Sequence, residues 1–251
     1  KTIDERAKAA RERSENLAQE IAKVLIEIGY EVPKSAASGY RIEAYDISNT
    51  NGVDSVGAMV VFEGAKPVKK DYRRFKIKTI EGPNDYASLQ EVIYRRFRRA
   101  EQGDPGFSSL PDFLFIDGGQ GQVTAVQQLK AMKISVPVVG MAKDDHHRTR
   151  ALVAGDGREA ELAARPLLFK YIGAVQEEVH RFAIEYHRGH RNKKMLTSVL
   201  DEIEGIGPAK RNALLSHFGS VDSIKKASLE ELMAVKGITK TNAGKIREYF
   251  N

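Results

Sequence analysis

Apolar positions recur along this chain at two different periods, and the changes of period mark its organisation. Over residues 4–28, Leu17, Ile21, Val24, Leu25 and Ile28 fall at helical spacing, with Gly29 as a stop and Pro33 beyond it. That predicts a helix which either packs on the following domain as a lead-in or ends a linker from another part of the protein. Residues 41–48, 56–62 and 72–77 read as strands, with Asn51-Gly52 as a turn signal between the first two, and short links suggest an antiparallel meander. Asn84 or Asp85 can cap a helix reaching about residue 99, with Leu89, Ile93 and Phe97 inward. Phe113-Leu114-Phe115-Ile116 is wholly apolar, as in a strand covered on both faces, and it ends at Asp117-Gly118-Gly119. A helix over 121–132, a buried strand over 136–141, a hairpin within 148–163 and a closing helix over 171–187 complete the pattern. The order β-β-β-α-β-α-β predicts an α/β domain, a mixed sheet with flanking helices.

The last fifty or so residues differ. Ile203-Glu204-Gly205-Ile206-Gly207-Pro208-Ala209-Lys210 and Val235-Lys236-Gly237-Ile238-Thr239-Lys240 form a weak internal repeat inside helical segments, which predicts a small all-α unit. Glycines between two helices let the backbone approach a phosphate, and the next helix then offers it N-terminal N–H groups. Lys210 and Arg211 add charge in the first copy. One such copy is as easily an ordinary tight turn. Two copies favour DNA-backbone binding through Gly205, Gly207, Lys210, Arg211, Gly237, Thr239 and Lys240.

Composition narrows the chemistry. The 251 residues carry a formal net charge of +6, which suits a polyanionic partner. Two basic clusters, 94–99 and 187–194, read either as nucleic-acid contacts or as solvated faces. There is no cysteine, so disulfides and thiolate metal sites are excluded, and any metal is held by oxygen or imidazole ligands, as Mg2+ or Mn2+ would be. No apolar run is long enough to span a membrane, and the charged start is no signal peptide; a cytoplasmic location is compatible. The chain begins at Lys1, which reads as a piece of a longer protein.

Three residues are candidates for catalysis. Asp46 stands among apolar neighbours in the first strand, where a carboxylate needs a reason. Asp117 ends a buried strand beside two glycines and can sit in an open cleft, or it simply caps the next helix. Two strand-borne acids on neighbouring strands could share a divalent cation for phosphodiester hydrolysis. His180 lies at the edge of the stripe Ile172, Val175, Val179, Phe182 and Tyr186; alone, it is as readily a structural or solvated histidine. The run Lys143-Asp144-Asp145-His146-His147 reads as a polar loop rather than a metal site, with Lys143 as a candidate for approaching the phosphate.

Taken together, Tyr45-Asp46-Ile47-Ser48, Gly82-Pro83-Asn84-Asp85-Tyr86, Phe115-Ile116-Asp117-Gly118-Gly119-Gln120-Gly121-Gln122 and Val179-His180-Arg181-Phe182-Ala183 resemble the C-terminal half of the UvrC family, the bacterial nucleotide-excision-repair nucleases. The two glycine turns resemble tandem helix-hairpin-helix motifs, with Thr239 where a glycine is usual. The resemblance implies an RNase H-like endonuclease fold over 35–189, after a lead-in helix at 1–34. A basic linker at 190–195 and a tandem helix-hairpin-helix domain at 196–251 follow. It implies a metal-dependent 5′ incision of damaged double-stranded DNA, with UvrB as partner and UvrA upstream. Asp46, Asp117 and His180 would form the metal-binding triad, and Asp85 would be a further acid needed for the cut, although it also reads as a helix N-cap. An RNase H-like nuclease acting on another substrate such as junctions, or a non-catalytic DNA-binding module, are the rival readings.

Overall fold

A computed structural model describes residues 3–34, 39–49, 55–80, 82–129, 136–146 and 148–250, except the side chains of 3, 186–198 and 201. The Asn51-Gly52 turn, residues 130–132 and His147 lie outside the described residues. The chain divides into two compact units, Lys1–Glu185 and Tyr186–Asn251.

In the first unit β1 (Arg41–Ser48) pairs antiparallel with β2 (Val56–Glu63), which also pairs with the short β3 (Lys66–Pro67) and with β4 (Arg73–Lys76). On its other side β1 pairs parallel with β5 (Phe113–Ile116), and β5 pairs parallel with β6 (Val138–Lys143). β7 (Thr149–Val153) and β8 (Glu159–Glu161) extend the sheet antiparallel to eight strands. Each parallel step needs a crossover. α2 (Asp85–Glu101) supplies the first and α3 (Gln120–Gln127) the second.

Period-two alternation along β1 and β5 separates two cores. Ile42, Ala44, Phe113 and Phe115 face a cluster with residues of α1 (Ile3–Glu27) and α4 (Pro166–Asp201). Tyr45, Leu114 and Ile116 face the opposite cluster, which holds Leu89, Ile93 and Phe97 of α2 and Val123 and Val126 of α3. The N-terminal helix is therefore packed on the domain. Leu17, Ile21, Val24, Leu25 and Ile28 are buried in the first cluster, and each such side chain contributes about 1.5–3 kcal/mol. Gly29, at φ +87°, ends the helix by donating to Ile26, while Tyr30 donates to Leu25 in a Schellman arrangement.

Several boundaries differ from the sequence reading. β3 pairs only two residues, too few to leave a pattern. β6 starts after Pro137, which has no N–H for the ladder, and runs on to Lys143. α3 ends at Gln127, short of the 121–132 expected. The closing helix is longer than expected, and the stretch read as a linker, 190–195, is helical backbone within α4. No proline falls between Pro166 and Pro208, and an isolated glycine such as Gly189 costs a helix only about 1 kcal/mol.

One member of the first basic cluster belongs to neither reading offered for it. Arg96 is buried, as is Glu43, and it donates Nε and Nη2 to both carboxylate oxygens of Glu43. It also donates to the carbonyls of Phe107 and Ser109, while Tyr45 donates its hydroxyl to Glu43 at 2.6 Å. This satisfied pair ties β1 to α2 and to the loop before β5. Its neighbours Arg95, Arg98 and Arg99 pair with Glu91, Glu101 and Asp104.

The second unit is all-helical, with α5 (Pro208–Phe218), α6 (Val221–Lys226), α7 (Leu229–Met233) and α8 (Lys240–Phe250) following the end of α4. Its core includes Leu200, Ile203, Ile206, Leu214, Ile224, Leu232, Val235, Ile238 and Ile246. The two turns of the repeat share a geometry. Gly205 and Gly237 adopt φ of +87° and +88°, and Ile206 and Ile238 donate back to Ile203 and Val235. Among the described residues no helix is long and apolar enough to cross a membrane.

Candidate active site

The register of β1 and β5 sets the site. Ala44 lies opposite Phe115 and Tyr45 opposite Ile116, and Asp117 continues the ladder by donating its N–H to the Tyr45 carbonyl at 2.8 Å. The same alternation that buries Ala44 and Phe115 under α4 turns Asp46 and Asp117 to that face, at the C-terminal edge of two adjacent parallel strands. Both carboxylates are nearly covered, with side chains 11% and 5% exposed.

α4 delivers the third residue. His180 Nδ1 lies 3.0 Å from Asp46 Oδ2. Ligand atoms of Asp46, Asp117 and His180 all fall within 4.8 Å of one another. This turn of α4 is held from β4, because Arg74 donates to the Phe182 carbonyl and stacks 3.7 Å over the Phe182 ring. Tyr72 donates to Glu178 on the same helix.

Asp117 does not cap α3. Gly119 occupies the N-cap position, and Gln122 accepts the Gly119 N–H at 3.2 Å. The oxygens of Asp117 are engaged elsewhere. Lys143 places its ammonium 2.8 Å from Oδ1 and 2.9 Å from Oδ2. Gln176 donates one amide to Asp117 Oδ1 at 2.7 Å and to the Met141 carbonyl at 2.9 Å. The amide's orientation is fixed in turn by Thr149, whose hydroxyl donates to Gln176 Oε1.

Lys143 ends β6 and is thus ordered on a strand rather than in a loop. The loop reading holds for Asp144, which accepts from the backbone of His146 and Arg148. Sequence reasoning missed Gln176. The available signal was its position one turn before His180, an amide placed among the apolar residues of a helix that faces the core.

Asp85 approaches from the other side of the sheet. Asn84 is the N-cap of α2 and accepts from Ala87 at 3.1 Å, so the Asp85 carboxylate is not needed as a cap. It accepts from the Asn49 side chain instead. Asp46, Asp85, Asp117 and Gln122 line one cleft of about 60 Å3.

The electrostatics are those of an acid pair short of positive charge. Burial, then the charge of Asp117, push Asp46 from 3.8 to about 6, against the pull of His180 and Lys143. The donor set fits a divalent cation. Oxygen and imidazole ligands converge, and an ammonium already sits on Asp117 where positive charge is wanted.

The glycine turns place their residues less uniformly. Gly207 is the N-cap of α5, and Gly205 and Gly237 lie exposed at the turns. Lys210 folds back to donate to the Gly205 carbonyl at 2.9 Å, and Arg211 is partly exposed on α5. Thr239 hydroxyl oxygen accepts from Asn242 N–H at 3.2 Å, an N-cap that a glycine would not provide, and Lys240 is exposed beside it.

Residues 32–184 match the family described as the UvrC RNase H endonuclease domain, and residues 197–251 match the SAM-like helix-hairpin-helix tandem family. The UvrABC system protein C of Alkaliphilus oremlandii (strain OhILAs) is 49% identical over 96% of this chain and 40% of its own length. That of Acetivibrio thermocellus is 50% identical over 84% of this chain and 36% of its own. The chain thus spans about 40% of the length of the first of these relatives. Human ENDOV superposes with a TM-score of 0.39 at 13% identity, over 70% of this chain and 99% of that one. The strand-edge carboxylates, the α4 histidine and the sheet that positions them lie within the first match, and the chain belongs to the UvrC RNase H endonuclease domain family.

Proposed function

We propose that this chain is a divalent-metal-dependent DNA endonuclease that makes the 5′ incision of bacterial nucleotide excision repair. One observation carries the reading: Asp46, Asp117 and His180 converge within 4.8 Å at the edge of the sheet. Asp46 and Asp117 hold Mg2+ or Mn2+, with His180 as a further ligand or as the group that moves a proton at the leaving oxygen. The cation supplies Lewis acidity at the phosphate and activates the attacking water. Gln176 fixes the rotamer of Asp117. Lys143, tethered on β6, neutralises the acid pair until substrate enters and then turns toward the phosphate. Asp85 adds negative charge on the opposite wall of the cleft. The helical unit holds duplex through its backbone, with Gly205, Gly207, Arg211, Gly237, Thr239 and Lys240 as the contact residues, and Lys210 fixing the first turn through the Gly205 carbonyl. The damaged duplex is delivered by UvrB, with UvrA upstream; the relatives' name, UvrABC system protein C, supports partners from that system.

The test is incision of a lesion-bearing duplex already nicked on its 3′ side, with UvrA, UvrB and Mg2+ supplied, in the full-length protein. Asp117→Ala should abolish the 5′ cut and retain DNA binding. An undiminished cut would place the chemistry elsewhere and reduce this unit to a binding module.

A further inference from the structure

A second cleft adjoins the acid cluster, of about 570 Å3. Its walls are the start of α2 and the length of α3, with Asn84, Tyr86, Gln90, Gln120, Thr124 and Gln128 as the chemistry-bearing residues. The two clefts interleave in sequence. Asp85 lies between Asn84 and Tyr86, and Gln122 lies beside Gly121, yet Asp85 and Gln122 line the cleft of Asp46 and Asp117. Whatever occupies the second cleft is held next to the acid cluster.

The lining has an unusual composition for this chain. Charged residues make up 29% of the sequence, but none lines this cleft. A phosphate or carboxylate would call for Lys or Arg, and an aliphatic ligand would call for aliphatic walls. Here the groups are amides and one aromatic ring, with a threonine hydroxyl already engaged by the Gln120 and Gly155 carbonyls. Tyr86 is 49% exposed, although large aromatic side chains are normally well covered. The phenol end of its ring packs against Gly121, where a Cβ would sit 2.8 Å from the phenol oxygen and 3.1 Å from Cε1. Asn84 commits its carbonyl oxygen to Ala87 N–H, which leaves its amide N–H groups as donors. Gln90 commits its amide N–H to the Ala125 carbonyl at 2.7 Å, which leaves its oxygen as an acceptor. A neutral, planar, hydrogen-bonding ring meets all of these: a face for Tyr86, with a donor and an acceptor at its edge.

We propose that this cleft is a nucleobase site, which takes one unpaired base of the incised strand, stacked on Tyr86, beside the phosphate to be cut. The site rests on the nuclease reading above. Its volume lies within the roughly 300–1,000 Å3 of small-ligand pockets, and the donor of Asn84 and the acceptor of Gln90 would engage the edge that a paired base offers its partner, so the base must be unpaired to enter. Holding that base would fix the register of the backbone at the acids; stacking on Tyr86 is open to every base, and any base preference is set by the Asn84 donor and the Gln90 acceptor.

The experiment walks a single abasic residue along the incised strand on both sides of the scissile phosphate. Affinity and single-turnover incision are measured for the wild type, Tyr86→Phe, Tyr86→Ala and Gly121→Val in the full-length protein with UvrA and UvrB. One position should weaken wild-type and Tyr86→Phe affinity by roughly tenfold when its base is removed. Tyr86→Ala should start roughly tenfold weaker and be indifferent to the base at that position. Gly121→Val, which narrows the cleft from the α3 side, should show the same indifference. Tyr86 is half exposed, so its removal does not hollow the core. An abasic profile identical in the wild type and Tyr86→Ala overturns the nucleobase site, provided incision still depends on Asp117. Incision that survives Asp117→Ala overturns the nuclease reading itself.

Discussion

Lys143 and Asp117 form a two-pronged ion pair across the ends of adjacent parallel strands, 2.8 and 2.9 Å from ammonium to the two carboxylate oxygens. The lysine is one-third exposed and the aspartate buried, so the tether is free to move while its partner is not. A cation entering between Asp46 and Asp117 competes with that ammonium. Lys143→Met should therefore tighten Mn2+ binding, read by titration calorimetry without DNA. Incision should nevertheless fall by roughly tenfold or more, because the positive charge that Lys143 brings to the phosphate is lost. An unchanged incision rate would remove Lys143 from the chemistry.

Gln176 is a positioning residue. Its amide bridges Asp117 and the Met141 carbonyl and is itself oriented by Thr149. Gln176→Leu leaves buried polar partners unsatisfied and should cost about 1–3 kcal/mol of stability. Incision should drop in kcat with little change in KM, because Asp117 is misplaced and DNA contacts are not. Gln176→Glu sets a third carboxylate against Asp117, and its loss should be deeper at high pH than at low. Equal, pH-independent losses in both variants would indicate only a packing role.

The strands, the α2 inward face and the acids at strand ends were legible because each rests on a local period or on a charge out of place. Asp46 and Asp117 stand out among apolar neighbours, and strand alternation makes their shared face computable once the register is known. The register itself is not local. Neither is the arrival of Lys143 from β6 and Gln176 from α4, which depends on how the crossovers stack. Arg96 misled for the opposite reason. It sits in a run of arginines that reads as a surface patch, and only the tertiary fold shows Glu43 waiting for it. The extent of α4 was missed because a run of basic residues says nothing against a helix.

The pH behaviour of Asp46 follows from its surroundings. Its folded value is raised from 3.8 to about 6, first by burial and then by Asp117, while His180 and Lys143 oppose the rise. A raised carboxyl penalises the folded state when ionised. The penalty is absent below the unfolded value, grows through the interval to about 6, and is complete above it, at about 3 kcal/mol. In chelator, Asp46→Asn should raise the Tm at pH 8 by several degrees, with the gain shrinking toward pH 4. Adding Mn2+ should raise the wild-type Tm at pH 8 and leave that of Asp46→Asn nearly unmoved. A variant less stable than the wild type at pH 8 in chelator would show that the His180 contact outweighs the acid repulsion.

The two lysines of the glycine turns should not be equivalent. Lys240 is exposed at the start of α8, whereas Lys210 donates its ammonium to its own turn at Gly205. A lysine that neutralises a phosphate releases a counterion, so its removal lowers the slope of log affinity against log salt by about 1. Lys240→Ala should show that reduction on an undamaged duplex. Lys210→Ala should leave the slope nearly intact and slightly lower the thermal stability of the helical unit, because the Gly205 carbonyl keeps only the longer of its two hydrogen bonds, from Asn242. Identical slope changes in both variants would mean that Lys210 leaves its turn to reach the phosphate, with both hairpins gripping the backbone alike.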